Sequence, residues 1–384
     1  MPGLRTRVFW ISLCAVACGA REQADGDAAT LNAYLSALPE ESRLTMDSPS
    51  DADNRGALTR LGNSTLALES AKFARDVNTP AVQLVRTLRS IAELPPTLYD
   101  SAQREFVWGP WDNEDGVGKA LLYIRENEAG ADFRYSYALV RTMDGDLAEA
   151  KAVIWGAATP DPSSEEKGVG VSLWDIEANN AFDAEHDPAW DASAVHGSGR
   201  FVMLYGHEQA EQEAFFNVAV FRNFRPGDAA DERVADVVYF YGRVINPDST
   251  RIDFLDSGIS ADLCDTSAEQ CFENDAVADA AEQFGLHAVF VNRGIGRAEA
   301  TLSGGDLSAG VSMVECWDAA FDRTHVHLES DGQVLADDGA CAAPMDRAMD
   351  ELGLPSLSDI DAELMSKLDC AAEHGVEGCP AASR

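Results

Sequence analysis

From Arg104 to Glu329 the chain returns again and again to a two-residue apolar period, in stretches of strand length separated by turn residues. Tyr135, Tyr137 and Leu139 alternate with Arg134 and Ser136, and Val237, Tyr239 and Tyr241 share one parity. Successive side chains of a strand point to opposite faces, so this spacing gathers the apolar set on one side of a sheet. Strands are expected over 104–111, 118–126, 132–142, 147–157, 169–174, 199–207, 213–224, 233–245 and 250–255. No long helical pattern stands between most of them, so neighbours run antiparallel. The expected class is mainly β, an antiparallel meander forming a curved sheet, sandwich or barrel. Asp144-Gly145 and residues 128–130 occupy hairpin positions, whereas 175–187 breaks the period and leaves a short helical insertion open.

After Ser257 the character changes, with a cysteine loop over 264–271 and a helix expected over 275–284. Strands are expected again over 286–292, 297–302, 311–317 and 325–329, and Asp331-Gly332 closes a turn. The β region 104–258 therefore continues into a cysteine-containing part, 259–342. Helices are expected at both ends, in an N-terminal region 31–98 and a C-terminal tail 343–384, which makes the whole chain α+β. In the first, Thr79 is placed to cap and Pro80 to open a helix in which Val82, Leu84, Val85, Leu88 and Ile91 recur until Pro95-Pro96. Weaker helical patterns cover 31–38 and 58–75, and the tail shows them over 344–352 and 358–368.

Residues 1–17 carry Arg5, Arg7 and an apolar run from Val8 to Ala17, then Cys18. A helix needs ~20 apolar residues to cross a bilayer, so the run reads as a signal peptide rather than an anchor. Ala15-Val16-Ala17-Cys18 resembles the lipobox of bacterial lipoproteins, with Ala15 where leucine is usual. That resemblance implies acylation of Cys18, a tether over 18–30, and an envelope location. Gly19 in place of aspartate implies the outer membrane. Once Cys14 is removed and Cys18 acylated, Cys264, Cys271, Cys316, Cys341, Cys370 and Cys379 remain. An even count in an exported chain argues for disulfides, and proximity favours pairing them in sequence order, two by two.

The formal charge of −37 becomes −39 when Arg5 and Arg7 leave with the leader. Such a field repels phosphate backbones, so nucleic acid is excluded as a partner, while cations and basic ligands are favoured. An apolar fraction of 46% still suffices for a core.

The run Gly294-Ile295-Gly296-Arg297-Ala298-Glu299-Ala300, then Ser303 to Leu307, Glu315 to Phe321 and Ala340-Cys341-Ala342, resembles a group of secreted lipoproteins from myxobacteria and their relatives. The resemblance implies a shared fold and a Cys316–Cys341 bridge, and it carries no reaction.

Chemical motifs are sparse. His325 and His327 share a strand face about 7 Å apart, and Asp322 or Glu329 would complete a metal site, although histidines on an exposed strand are more often solvated. Asp112, Glu114 and Asp115, and again Asp183, Glu185 and Asp187, would suit calcium, yet acidic turns are expected in so acidic a chain. His207 to Glu211 lacks the second histidine of a zincin, and neither GxSxG nor GxxxxGK[ST] occurs. Gly294-Ile295-Gly296 reads as a tight turn. The aromatic residues concentrated in the β region would line a pocket if the sheet enclosed one, and otherwise pack the core. The expectation is a lipid-anchored, non-enzymatic structural or binding module without a resident cofactor. The alternatives are a carrier of a lipid or other hydrophobic ligand, and a metal-dependent hydrolase.

Overall fold

The computed structural model describes residues 31–32, 34–35 and 63–341, apart from 101, 103, 114–115, 132, 147–149, 162–167, 195, 210–212, 226–233, 262–279, 293, 306 and 308. Among the described residues fifteen strands form one antiparallel sheet whose spatial order is the sequence order. They are β1 (Leu98–Asp100), β2 (Glu105–Asp112), β3 (Lys119–Glu126), β4 (Tyr135–Thr142) and β5 (Lys151–Pro160). β6 (Gly168–Asp175), β7 (Ser198–Gln209), β8 (Glu213–Arg225), β9 (Ala235–Ile245) and β10 (Arg251–Ala261) follow. The last are β11 (Glu282–Val291), β12 (Ile295–Gly304), β13 (Val311–Trp317), β14 (Arg323–Ser330) and β15 (Gln333–Gly339). The sheet is open, with β1 and β15 as its edges.

A long helix, α1 (Thr65–Ala92), precedes the sheet, with residues 31–32 and 34–35 also helical, and α2 (Ile176–His186) fills the interruption between β6 and β7. At 28 residues α1 is roughly 42 Å long. The expected start at Thr79 is corrected: the helix begins fourteen residues earlier, capped by Ser64, whose Oγ accepts from the Ala67 N–H at 3.2 Å. Thr79 is interior and its Oγ1 donates back to the Arg75 carbonyl at 2.7 Å. Proline inside a helix costs about 3 kcal/mol, but Leu66, Ala67, Ala71 and Ala74 before it and Val82, Val85, Leu88 and Ile91 after it fall on one buried stripe. Burial at ~1.5–3 kcal/mol for each large apolar side chain outweighs that cost.

The sheet differs from the expected strands mainly at their ends. Phe284 lies in β11 and not in a helix, and the rest of 275–284 is outside the described residues except 280–283, of which 282–283 are also strand. β10 continues six residues past Leu255 because β9 and β11 pair with it along its whole length, through Ser257-Gly258 where the apolar period stops. β1 and β15 were not expected. The tail helices over 344–352 and 358–368 fall outside the described residues.

Over β2–β11 both faces of the sheet are buried. Phe106, Ile124, Tyr137, Met203, Phe221, Tyr239, Leu286 and Trp317 join the α1 stripe in one cluster running from β2 to β13. The opposite face carries a second, mostly aliphatic cluster that includes Val107, Val140, Val202, Val220, Phe254 and Val289. Burial on both sides explains why Phe215 to Phe221 reads as an almost unbroken apolar run. On the helix-bearing face the Tyr137 and Tyr205 rings lie across β5 and β6, where any Cβ at Gly156 or Gly170 would collide with their hydroxyls.

Candidate functional site

The chemistry-bearing side chains of this fold sit largely on the helix-bearing face, where polar groups pin α1 to the sheet at three places. At its start, the wholly buried Glu315 of β13 accepts from Ser64 Oγ at 2.7 Å, from the Leu66 N–H at 2.8 Å and from Arg323 Nη1 at 2.6 Å. A carboxylate there also meets the positive end of the helix dipole. Midway, Asn78 Nδ2 donates to the Tyr239 hydroxyl at 2.9 Å while Asn217 Nδ2 donates to Asn78 Oδ1 at 2.8 Å. Just past its end, Trp108 Nε1 donates to the Leu94 carbonyl at 2.9 Å.

The polar line continues along β9 and β10. Arg243 donates to the Tyr241 hydroxyl at 2.7 Å and to Asp253 Oδ1 at 2.8 Å, and Arg251 Nε reaches the same oxygen at 3.0 Å. Near Tyr34 the phenols cluster: its ring centroid is 6.0 Å from that of Tyr135 and 5.8 Å from that of Tyr137. Burial pushes the phenols of Tyr34, Tyr137, Tyr205, Tyr239 and Tyr241 well above their ordinary value of 10.0. The Tyr34 and Tyr205 hydroxyls have no hydrogen-bond partner among the described residues.

Beside α2, Arg141 of β4 is buried against the Phe182 ring, 4.4 Å from its centroid, and bonds Asp183 at 2.8 Å and Asn179 at 2.9 Å. Of the acidic residues considered for calcium, Asp183 is therefore held by a guanidinium and Glu185 by Lys151 at 2.9 Å. Asp187 Oδ1 accepts from the Ala189 N–H, and Asp112 faces Lys119 at 2.8 Å. Glu114 and Asp115 lie outside the described residues.

His325 and His327 occupy one face of β14. His325 stands opposite Cys316 and Gly339, and its Nδ1 has no hydrogen-bond partner among the described residues. His327 has Glu329 at 3.6 Å from one ring nitrogen and Asp337 of β15 at 3.6 Å from the other. Asp322 pairs instead through its backbone with Asn63, at the start of α1. Among the described residues no group of three His, Cys, Asp or Glu side chains is disposed to hold a metal ion. Cys316 is bonded to Cys341, with Cα atoms 5.4 Å apart, which ties β13 to the end of β15 across β14. Cys18, Cys264, Cys271, Cys370 and Cys379 fall outside the described residues.

Sequence reasoning assigned no role in holding α1 or in the polar line to Glu315, Asn78, Asn217, Arg243 or Asp253. A signal existed for four of them, each a polar residue in step with the apolar face of its element. Asn217 interrupts an aromatic and aliphatic strand, and Glu315 stands between Met313 and Trp317 at the same parity. No known protein-family model, curated protein or solved structure matches the chain.

Proposed function

We propose that this chain is a lipid-anchored protein of the bacterial envelope that acts as a rigid structural or binding module through its surface. The lipobox-like segment ending at Cys18 supports the anchor, and the acidic exterior favours basic partners over nucleic acid. The observation that carries the module reading over a carrier is the state of the helix-bearing face. A hydrophobic-ligand carrier needs an enclosed apolar space, whereas here α1 occupies that face and Trp108, Tyr135, Met203 and Tyr239 are each at most 1% exposed. The polar groups nearby serve to hold the helix.

Detergent-phase partitioning of wild type against Cys18→Ala, expressed in a Gram-negative host, tests the anchor. The wild type is expected in the detergent phase and the variant in the aqueous phase; both remaining aqueous would reject lipidation. Native mass spectrometry of the same material tests the module reading, with the protein mass and its own acyl chains expected and a co-purifying lipid counting against it.

A further inference from the structure

We propose that the edge of β15, which pairs with no further strand among the described residues, is a docking site for a basic, extended segment of another protein, added to the sheet as one more strand. The inference deepens the binding half of the proposed function and is independent of the lipid anchor.

An open edge presents unpaired backbone N–H and C=O groups, and proteins blunt such edges to avoid indiscriminate pairing. The two edges here are unlike. β1 has only three residues, too few for a stable ladder, and ends in Asp100. β15 has seven, and its chain remains open to solvent: Val334 is 56% exposed and Leu335 61%. Its conformation is set in advance, since the Cys316–Cys341 bond fastens its far end and the Ala340 N–H donates to the Thr324 carbonyl at 3.0 Å. A strand already held in place loses little conformational freedom when it is paired.

Charge selects the occupant. Asp337 stands opposite His327 and Asp338 opposite Val326, so the two carboxylates lie on opposite faces of the edge, with Asp331 at the turn and Glu329 on the adjoining strand. The Asp337 side chain is 64% exposed. A second copy pairing antiparallel about Ala336 would crowd both aspartates of each copy into one seven-residue ladder, between chains of charge −37. The two Asp337 carboxylates would then stand diagonal to each other on one face, and their repulsion adds to that between the two acidic chains. The chain's own tail fits no better, because residues 342–384 hold nine acidic against three basic side chains. The exposed Asp337 carboxylate, in an acidic surround, attracts an incoming strand bearing Lys or Arg, while Val334 and Leu335 offer apolar contact.

The test uses the full chain and a fluorescent peptide of alternating lysine and valine. A control peptide of the same sequence is N-methylated at alternate residues, which removes strand-pairing donors and keeps the charge. Anisotropy titrations are expected to show the plain peptide binding at least about tenfold more tightly than the control, with weakening as salt rises. Hydrogen exchange is expected to show new protection of the β15 amides in the complex and unchanged exchange in β7–β9. An Asp337→Lys, Asp338→Lys double variant, whose fold is checked by its circular dichroism, is expected to lose the preference. Equal binding of the two peptides would overturn the proposal, leaving only general attraction to an acidic surface. So would protection, in the free chain, of the outward-pointing β15 amides that do not bond to β14, which would mean that the tail covers the edge, or a dimer in sedimentation without peptide. Each of these readouts leaves the partitioning result for Cys18 untouched, so the two proposals fail separately.

Discussion

Removing the Glu315 carboxylate would strand three donors at once, because Ser64 Oγ, the Leu66 N–H and Arg323 Nη1 all point to it. Breaking a buried, charge-assisted cluster from one side leaves Ser64 Oγ and the Leu66 N–H buried without their acceptor and takes a carboxylate from Arg323, a loss of about 3–5 kcal/mol. Ser64→Ala removes only the cap and one bond and costs about 1 kcal/mol. Glu315→Ala is therefore expected to lower the denaturant midpoint several times further than Ser64→Ala, as followed by tryptophan fluorescence in urea. Equal shifts would mean that the carboxylate does not anchor α1. At this scale the sequence was half legible. Its parity places Glu315 on the apolar face of β13, but nothing local marks a serine 251 positions away as its partner. The same holds for His327, whose nearest carboxylates are Glu329, within reach of a sequence reading, and Asp337, which comes from a strand with no periodic signal.

Elements were readable in proportion to how one-sided their burial is. β13 runs over Val311–Trp317, the span its period indicates, and the Asp331-Gly332 turn has both residues at positive φ, 49° and 71°. β15 reads as no strand because neither of its faces is buried, so alternation has nothing to separate. α1 is the opposite case: the Thr79-Pro80 pair is a valid local start signal that burial on both sides overrides. The covalent link between β13 and Cys341 closes a separation of 25 residues, which corresponds to about 2–4 kcal/mol. Since the link spans only the last three strands, its reduction is expected to act locally first. Amide exchange in β14 and β15 should accelerate under reductant while β7–β9 hold their protection, and identical exchange before and after reduction would show that the bond does not secure this edge.

Across the described residues the buried phenols report on cooperativity, because Tyr34, Tyr137, Tyr205, Tyr239 and Tyr241 are spread over the interior from helical residues 34–35 to β9. Burial raises each above the value of 10.0 that it has when unfolded. The folded state thus keeps protons that the unfolded chain releases. This contribution is fully present below pH 10 and is lost as pH climbs from there toward the folded values. Phenolate absorbance from these residues is expected to appear together with the loss of far-ultraviolet sheet signal, above pH 10 and in one transition. Ionisation of all five with the sheet intact would contradict their enclosure.

Strand period, hairpin turns and the consequent sequential antiparallel order were determined by the sequence alone, because alternation and turn chemistry act between residues a few positions apart. What the tertiary structure decided is that the sheet stays open, that α1 runs past Pro80 to fill one face, and that Glu315 and Asn78 hold it there. Those outcomes depend on contacts between residues as much as 251 and 161 positions apart, whose energies exceed any local preference and leave no periodic trace in the chain.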